Sequence, residues 1–479
     1  MVLGILDAVY HSAYFPSNYF PHILVSGTLG LALRTISQGR KTNRDRDLHA
    51  RVILMTGAFT PLGMTVMANL AGRGAHVIAL TEGNVANPQS QSSILVDLLR
   101  DTTKNEEIYA EHCDLYDPSS IKDFVTKFMS QDKHRIDVVL LLHEYQHLGP
   151  FKALTTSKED LELERQTLSL ASFHLVTTLL PGLLLAPPER DIRIISAVNR
   201  FYAAAATARF SIPFSAFSTS NATAPTTDPV FVAEGTRALK TVIFMRHLQR
   251  VLDALPTAQI PKTDAASSHI PVVSAASQKS NIVAVSVSPG LSRVATVAPL
   301  LNADWTSPFG FSYFGLFLYL ALQLILRLTT KSAASAMQTI LHAIFLPTPF
   351  KVIPPIPDEN AESAGPIDRS LLEIPEEVLK PGALYAECSV VKLVVPALPP
   401  APQVEEDKPQ PDTKGKGKAG EEEPTLDIPD DGEFGGEAMG RAVWESYEAA
   451  VKVWQKRHPK EDTRPPAESN SDGPKSAST

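Results

Sequence analysis

Residues 52–64, VILMTGAFTPLGM, decide how the chain is read: an apolar, β-branched run ends in Thr56-Gly57-Ala58-Phe59-Thr60-Pro61-Leu62-Gly63 and then enters a helical period. A turn of this kind holds a pyrophosphate when glycines let the chain reverse tightly and bring its backbone to the ligand at the helix N-terminus. Gly57 and Gly63 are present, but Pro61 stands where a middle glycine is expected. Proline fixes φ at about −65° and removes one N–H, which suits the first turn of a helix and weakens a phosphate cradle.

From this stretch onward, short apolar runs alternate with helical periods. The runs are RVILMTG from Arg51, AHVIAL from Ala75, YAEHCDL from Tyr109, IDVVLLL from Ile136, DIRIISA from Asp191 and NIVAVSVS from Asn281. Helical spacing covers 62–73, 119–129, 160–185 and 233–252. Such alternation predicts an α/β fold, a Rossmann-like doubly wound parallel sheet with helices on both faces and ligands beyond the carboxyl ends of the strands.

In its turn the chain resembles the Thr-Gly-x-x-x-Gly-x-Gly signature of the short-chain dehydrogenase/reductase family. Other segments match in register: LAGRGAHVIAL from Leu70, CDLYDPSSI from Cys113, the VSPG of Val287, and KSAASAMQTILHAIFLP with PGALYAEC, which are similar to the closing helix and strand of the retinol-dehydrogenase-like branch. The resemblance covers roughly 50–395. It implies an NAD(P) site formed by Thr56, Gly57, Thr60, Leu62, Gly63, Asp114, Leu115, Pro289 and Gly290. The second strand ends in Leu80-Thr81-Glu82, which leaves NAD and NADP both open.

The resemblance also implies a catalytic serine, tyrosine and lysine, with the lysine one helical turn after the tyrosine to hold its phenolate. None of the eleven tyrosines has a lysine four residues later. The tyrosine slot falls on Ala233 or Glu234 and the lysine slot on Arg237 or Ala238. Ser196 is the serine candidate, and the catalytic serine can equally correspond to Ala197. The usual Asn-Asn-Ala-Gly reads Leu141-Leu142-His143-Glu144, and Leu168 stands at the helix asparagine. Two function classes follow: a nucleotide- or lipophile-binding protein without the standard acid/base pair, or an active oxidoreductase on a lipophilic alcohol or ketone with a rearranged one. A third motif competes, because His143-Glu144-x-x-His147 has zinc-hydrolase spacing, with Asp160, Glu162 or Glu164 as further ligands. The motif needs a helix, whereas it follows a strand here, so no metal is assigned.

A net charge of −8 gives no basic field for nucleic acid, and Cys113 and Cys388 alone make no disulfide framework. The run ILVSGTLGLAL from Ile23 is too short to cross about 30 Å of hydrocarbon. Aromatic residues (Tyr10, Tyr14, Phe15, Tyr19, Phe20) precede it, and Arg34, Arg40, Lys41, Arg44 and Arg46 follow it. That pattern fits an interfacial anchor, and a core-packed helix is the alternative. PFGFSYFGLFLYLALQLIL from Pro308 is long enough to approach a span, but sheet segments follow it and one sheet cannot be divided by a bilayer. We therefore expect a helix on the membrane or over the substrate cleft, or a buried helix, above an apolar pocket for a lipophilic small molecule. Membrane contact is assigned to 19–36 and 308–328, on the cytosolic face.

The expected organisation is an N-terminal membrane-proximal segment (1–48) and a Rossmann domain (49–395) with insertions near 256–280 and 353–380. A Pro-rich, acidic disordered linker (396–439), an amphipathic helix for core or partner (440–457) and a polar tail (458–479) complete it.

Overall fold

The element boundaries below come from a computed structural model, which describes residues 20–83, 85, 87–130, 135–146, 150–151, 157–187, 189–207, 212–217, 229–259, 280–304, 310–349, 377–396, 428 and 430–458. After α1 (Phe20–Gln38), the chain forms β1 (Val52–Thr56), α2 (Pro61–Ala71), β2 (His76–Thr81), α3 (Gln91–Thr103), β3 (Ile108–His112), α4 (Pro118–Met129) and β4 (Val138–Leu141). The single-turn α5 (His143–Gln146), α6 (Lys158–Leu184), β5 (Ile192–Ala197), α7 (Tyr202–Thr207), α8 (Val230–Gln259) and β6 (Ile282–Ser288) follow. Then come α9 (Tyr313–Ala321), α10 (Gln323–Thr329), α11 (Ala333–Phe345), β7 (Leu384–Ala386), β8 (Ser389–Val391) and α12 (Gly436–Arg457).

The strands form one sheet in the order β3-β2-β1-β4-β5-β6-β7-β8. All neighbours pair in parallel except β7 and β8. Strand order reverses between β1 and β4, so the crevice for a ligand lies above their carboxyl ends. Strands in the middle of a covered sheet are apolar on both faces, and β4, β5 and β6 are buried at every residue. One face packs on α2, α3 and α11. The other packs on α4, α6 and α8, with α12 closing over them through Val443, Tyr447 and Trp454.

The expected strands are present, and β8 is an addition. Its turn from β7 runs through Glu387 and Cys388, both at positive φ (53° and 55°), without the Asn-Gly or Asp-Gly that would mark a hairpin. α3 was also not expected: only Ser92, Val96 and Leu99 are buried, while Ile94 and Leu98 face outward and obscure the helical period. α12 begins at Gly436 rather than 440. Most of the expected insertions, the 397–427 part of the linker, the tail from 459 and the aromatic residues before Phe20 lie outside the described residues.

The run from Pro308 is corrected in form. Its helix starts at Tyr313 and breaks at Leu322, where ψ is 0°, giving two short helices rather than one. Neither is buried: Phe314, Phe317, Leu320 and Leu324 are exposed, as are Leu24, Leu29 and Leu31 on α1. Among the described residues, the one helix long and apolar enough to cross a membrane is Glu159–Leu184, and 67% of its most apolar 18-residue stretch is buried within the fold.

Candidate functional site

The turn after β1 keeps the backbone geometry that its glycines allow. Gly57 has φ +63°, and a Cβ there would lie 2.8 Å from the His143 backbone nitrogen. A Cβ on Gly63 would stand 2.1 Å from the Gly57 carbonyl oxygen. Both positions therefore need glycine: the first for its dihedral and closeness to the strand-four loop, the second so that α2 can sit against the turn. Thr60 caps the helix, its Oγ1 accepting from Gly63 N at 3.1 Å and donating to the Gly57 carbonyl at 2.5 Å. Pro61 occupies the first helical position, where its missing N–H breaks no helical bond. Leu62 turns into the core.

Across the crevice, the loop after β4 approaches the loop after β6. Tyr145 is fully buried, and its hydroxyl donates to the Gly290 carbonyl at 2.8 Å. β5 lies between those two strands, so the ring crosses above its carboxyl end. Burial raises the Tyr145 phenol above its ordinary range. Gly290 has φ +101°, and a Cβ there would meet the Lys331 side chain.

Where the family's tyrosine and lysine would stand, the chain builds a buried ion-pair network. The Glu234 carboxylate lies 2.8 Å from Arg165 Nε and 2.8 Å from Arg237 Nη2, and it is completely enclosed. Arg237 also donates to the Glu144 carbonyl at 3.1 Å. The Glu144 carboxylate accepts from Ser172 at 2.6 Å and Thr241 at 2.8 Å, and burial raises its pKa. Tyr447 of α12 enters the same region, its hydroxyl 2.9 Å from Ser169 Oγ.

Ser196 faces α8 beside its register partner Ser286, buried and with no hydrogen-bond partner for its hydroxyl. His143 is committed to the fold: Nε2 lies 3.1 Å from the Leu168 carbonyl, an acceptor only, so this nitrogen carries the proton and Nδ1 accepts from Thr56 Oγ1 at 2.7 Å. His147 lies outside the described residues, and among those described no three His, Cys, Asp or Glu side chains come together to hold a metal.

At the other end of the crevice Asp114 follows β3, its carboxylate accepting from Tyr116 N at 2.8 Å, and Leu115 packs against the core. Glu82 stands one residue past β2, and its pKa is raised by burial and then by the Asp114 charge. The sequence reading missed this pairing because the two residues meet only when β2 and β3 lie side by side.

A cavity of about 210 Å³ opens beside the turn, lined by Pro61, Leu62, Tyr145 and Ser292 together with Arg34, Arg293, Arg327 and Lys331. Cations from four segments border this cavity, and none of its lining residues belongs to the 308–326 run. The Lys331 amine lies 2.7 Å from Glu387. Tyr145 and Lys331 both line this cavity, the Tyr145 hydroxyl turned to the Gly290 carbonyl and the Lys331 amine to Glu387. A second cavity of about 180 Å³, lined by Phe128, Met129, Leu183 and Arg190, lies at the amino ends of the strands, away from the crevice.

Fold and turn define a doubly wound α/β protein of the dinucleotide-binding kind. No family model matches the sequence. The chain is 27% identical over 326 residues to the uncharacterized oxidoreductase pbr1 of Schizosaccharomyces pombe, which covers 68% of this chain and 78% of that protein. It is 34% identical over 184 residues to the uncharacterized oxidoreductase YNL181W of Saccharomyces cerevisiae, 37% of this chain and 43% of that one. It is 25% identical over 168 residues to human retinol dehydrogenase 12, 35% of this chain and 50% of that protein. In sequence and fold the chain is similar to the short-chain dehydrogenase/reductase family, with a retinol-dehydrogenase-like relationship.

Proposed function

We propose that this protein is an atypical short-chain dehydrogenase/reductase, resting on a membrane surface, that binds a phosphate-bearing ligand or a lipophile without the family's tyrosine–lysine proton relay. The observation that carries this reading is the Glu234 carboxylate held between Arg165 and Arg237. Both guanidiniums are turned on the enclosed Glu234 carboxylate, so the chain places ion-paired charge where the family has its tyrosine and lysine. The exposed apolar residues of α1 and α9–α10 support the membrane placement.

A nicotinamide dinucleotide, which supplies or takes a hydride when bound, fits this chain in one half. The close approach at Gly57 and Gly63 leaves the turn able to face a pyrophosphate. Beside Tyr145 the crevice is filled, and about 210 Å³ is less than the ~300 Å³ at which pockets for drug-sized ligands begin. Glu82 and Asp114 at the adenosine end favour a free ribose 2′-hydroxyl over a 2′-phosphate, and hence NAD over NADP.

Titrating the purified full chain with NADH and NADPH, followed by nicotinamide fluorescence and by turnover of long-chain aldehydes and ketones, tests the proposal. Binding without turnover supports it. Turnover supports the second reading, an active oxidoreductase on a lipophilic alcohol or ketone with Tyr145 and Lys331 as rearranged acid and cation, which their shared cavity favours. Loss of that turnover in Tyr145→Phe would then identify the acid.

A further inference from the structure

The cations around the crevice cavity do not come from the nucleotide turn. Arg34 sits near the end of α1, Arg327 in α10 and Arg293 at the start of a short π-helix (Arg293–Val297) after β6. Among the described residues no carboxylate pairs with any of the three, whereas Lys331 beside them is taken up by Glu387. Three guanidiniums around one small cavity, in a chain of net charge −8, repel one another until an anion joins them. α2 and α11 both start at its wall, at Pro61 and Ala333, so the positive ends of two helix dipoles add to the field.

The same arginines tie the two apolar helices together. Arg34 donates to the carbonyls of Arg327 and Thr330, the latter at 3.0 Å. Gln38 donates to the Thr330 carbonyl at 3.0 Å and accepts from Ser332 N at 3.1 Å. Leu29, Leu31, Phe317 and Leu324 are exposed on the helices joined in this way. Exposed apolar side chains bordered by guanidiniums match a bilayer interface, where the first enter the acyl region and the second lie at headgroup level.

We propose that this cavity takes the phosphate monoester headgroup of an anionic phospholipid, bound by Arg34, Arg293 and Arg327 while α1 and α9–α10 lie in the same membrane. This rests on the membrane-surface reading and names the lipid it selects. A terminal phosphate presents up to two charges and three bare oxygens to the guanidiniums, and the volume of about 210 Å³ admits it. A diester headgroup brings one charge and further bulk. The pyrophosphate of a soluble nucleotide offers the same chemistry from another source.

Co-sedimentation of the full chain with three vesicle types separates these cases: phosphatidylcholine alone, with phosphatidic acid, and with phosphatidylglycerol adjusted to equal surface charge. The expected result is binding to all three, with phosphatidic acid favoured by about tenfold over phosphatidylglycerol. Arg293→Gln and Arg34→Gln/Arg327→Gln, checked for an unchanged urea midpoint, should lose that preference and keep binding to the neutral vesicles. Equal binding to the two anionic vesicles would overturn the headgroup proposal and leave the membrane reading standing, and binding to none would overturn both. Displacement from phosphatidic acid vesicles by micromolar NADH or inorganic pyrophosphate would also overturn it, assigning the arginines to a soluble phosphate.

Discussion

The Tyr145 hydroxyl and the Gly290 carbonyl, 2.8 Å apart, join the loops that follow β4 and β6 and close the crevice between them. Removing that hydroxyl in Tyr145→Phe should cost about 1 kcal/mol, and removing the ring in Tyr145→Ala about 3–5 kcal/mol. The alanine variant should bind NADH more tightly than the parent chain despite its lower urea midpoint. Unchanged affinity would mean that the ring is no barrier to the nucleotide.

Glu234 is enclosed between two arginines, so Glu234→Gln leaves buried positive charge without its counter-charge. Chemical denaturation should show a loss of about 3–5 kcal/mol. Replacing all three members together, as Arg165→Met, Glu234→Leu and Arg237→Met, should recover most of it. If the single variant is as stable as the parent, the network is not the structural unit described here.

Glu144 sets a pH dependence. Burial raises its folded pKa above the usual 4.5, so the folded state favours the protonated form. Its contribution is fully present below the unfolded value and is lost as pH climbs from about 4.5 through the folded pKa. Glu144→Gln keeps the shape and cannot ionise. Its stability relative to the parent should therefore rise between pH 5 and pH 8, read as a difference in urea midpoints, and a constant difference would contradict the assignment.

With the nucleotide placed as proposed, Glu82→Gln removes one of two neighbouring carboxylates at the adenosine end. We expect NADPH affinity to rise by about fivefold relative to NADH, the order of one charge repulsion of ~1 kcal/mol near water. The fluorescence titration measures it, and an unchanged ratio would place the nucleotide elsewhere.

α12 is held through Trp454 and by close approach at Gly440, where a Cβ would lie 2.6 Å from His247 Nδ1. Gly440→Val should displace the helix and Trp454→Ala should cost about 3–5 kcal/mol. Both should make 436–457 sensitive to limited proteolysis while β1–β6 stay protected. Equal protection throughout would show that the docking is not needed.

Much of this is legible in the sequence. Alternating apolar runs gave the strands, because a covered parallel sheet demands uninterrupted apolar residues, and Gly57 and Gly63 marked the turn because a Cβ at either site collides with backbone. β8 escaped because Glu387 and Cys388 carry no turn signal, and α3 because exposed Ile94 and Leu98 blur its period. The break at Leu322 escaped because an apolar run has no internal contrast.

The sequence by itself determined the doubly wound order and the absence of a tyrosine with lysine one turn on, since both depend on spacing along one chain. Tertiary structure alone decided that Glu234 meets Arg165, that Tyr145 reaches Gly290, and that Arg34, Arg293 and Arg327 surround one cavity. Those partners are up to 293 residues apart. Charge attraction and hydrogen bonding act through space over a few ångströms, so only the packing of helices on the sheet could bring them together.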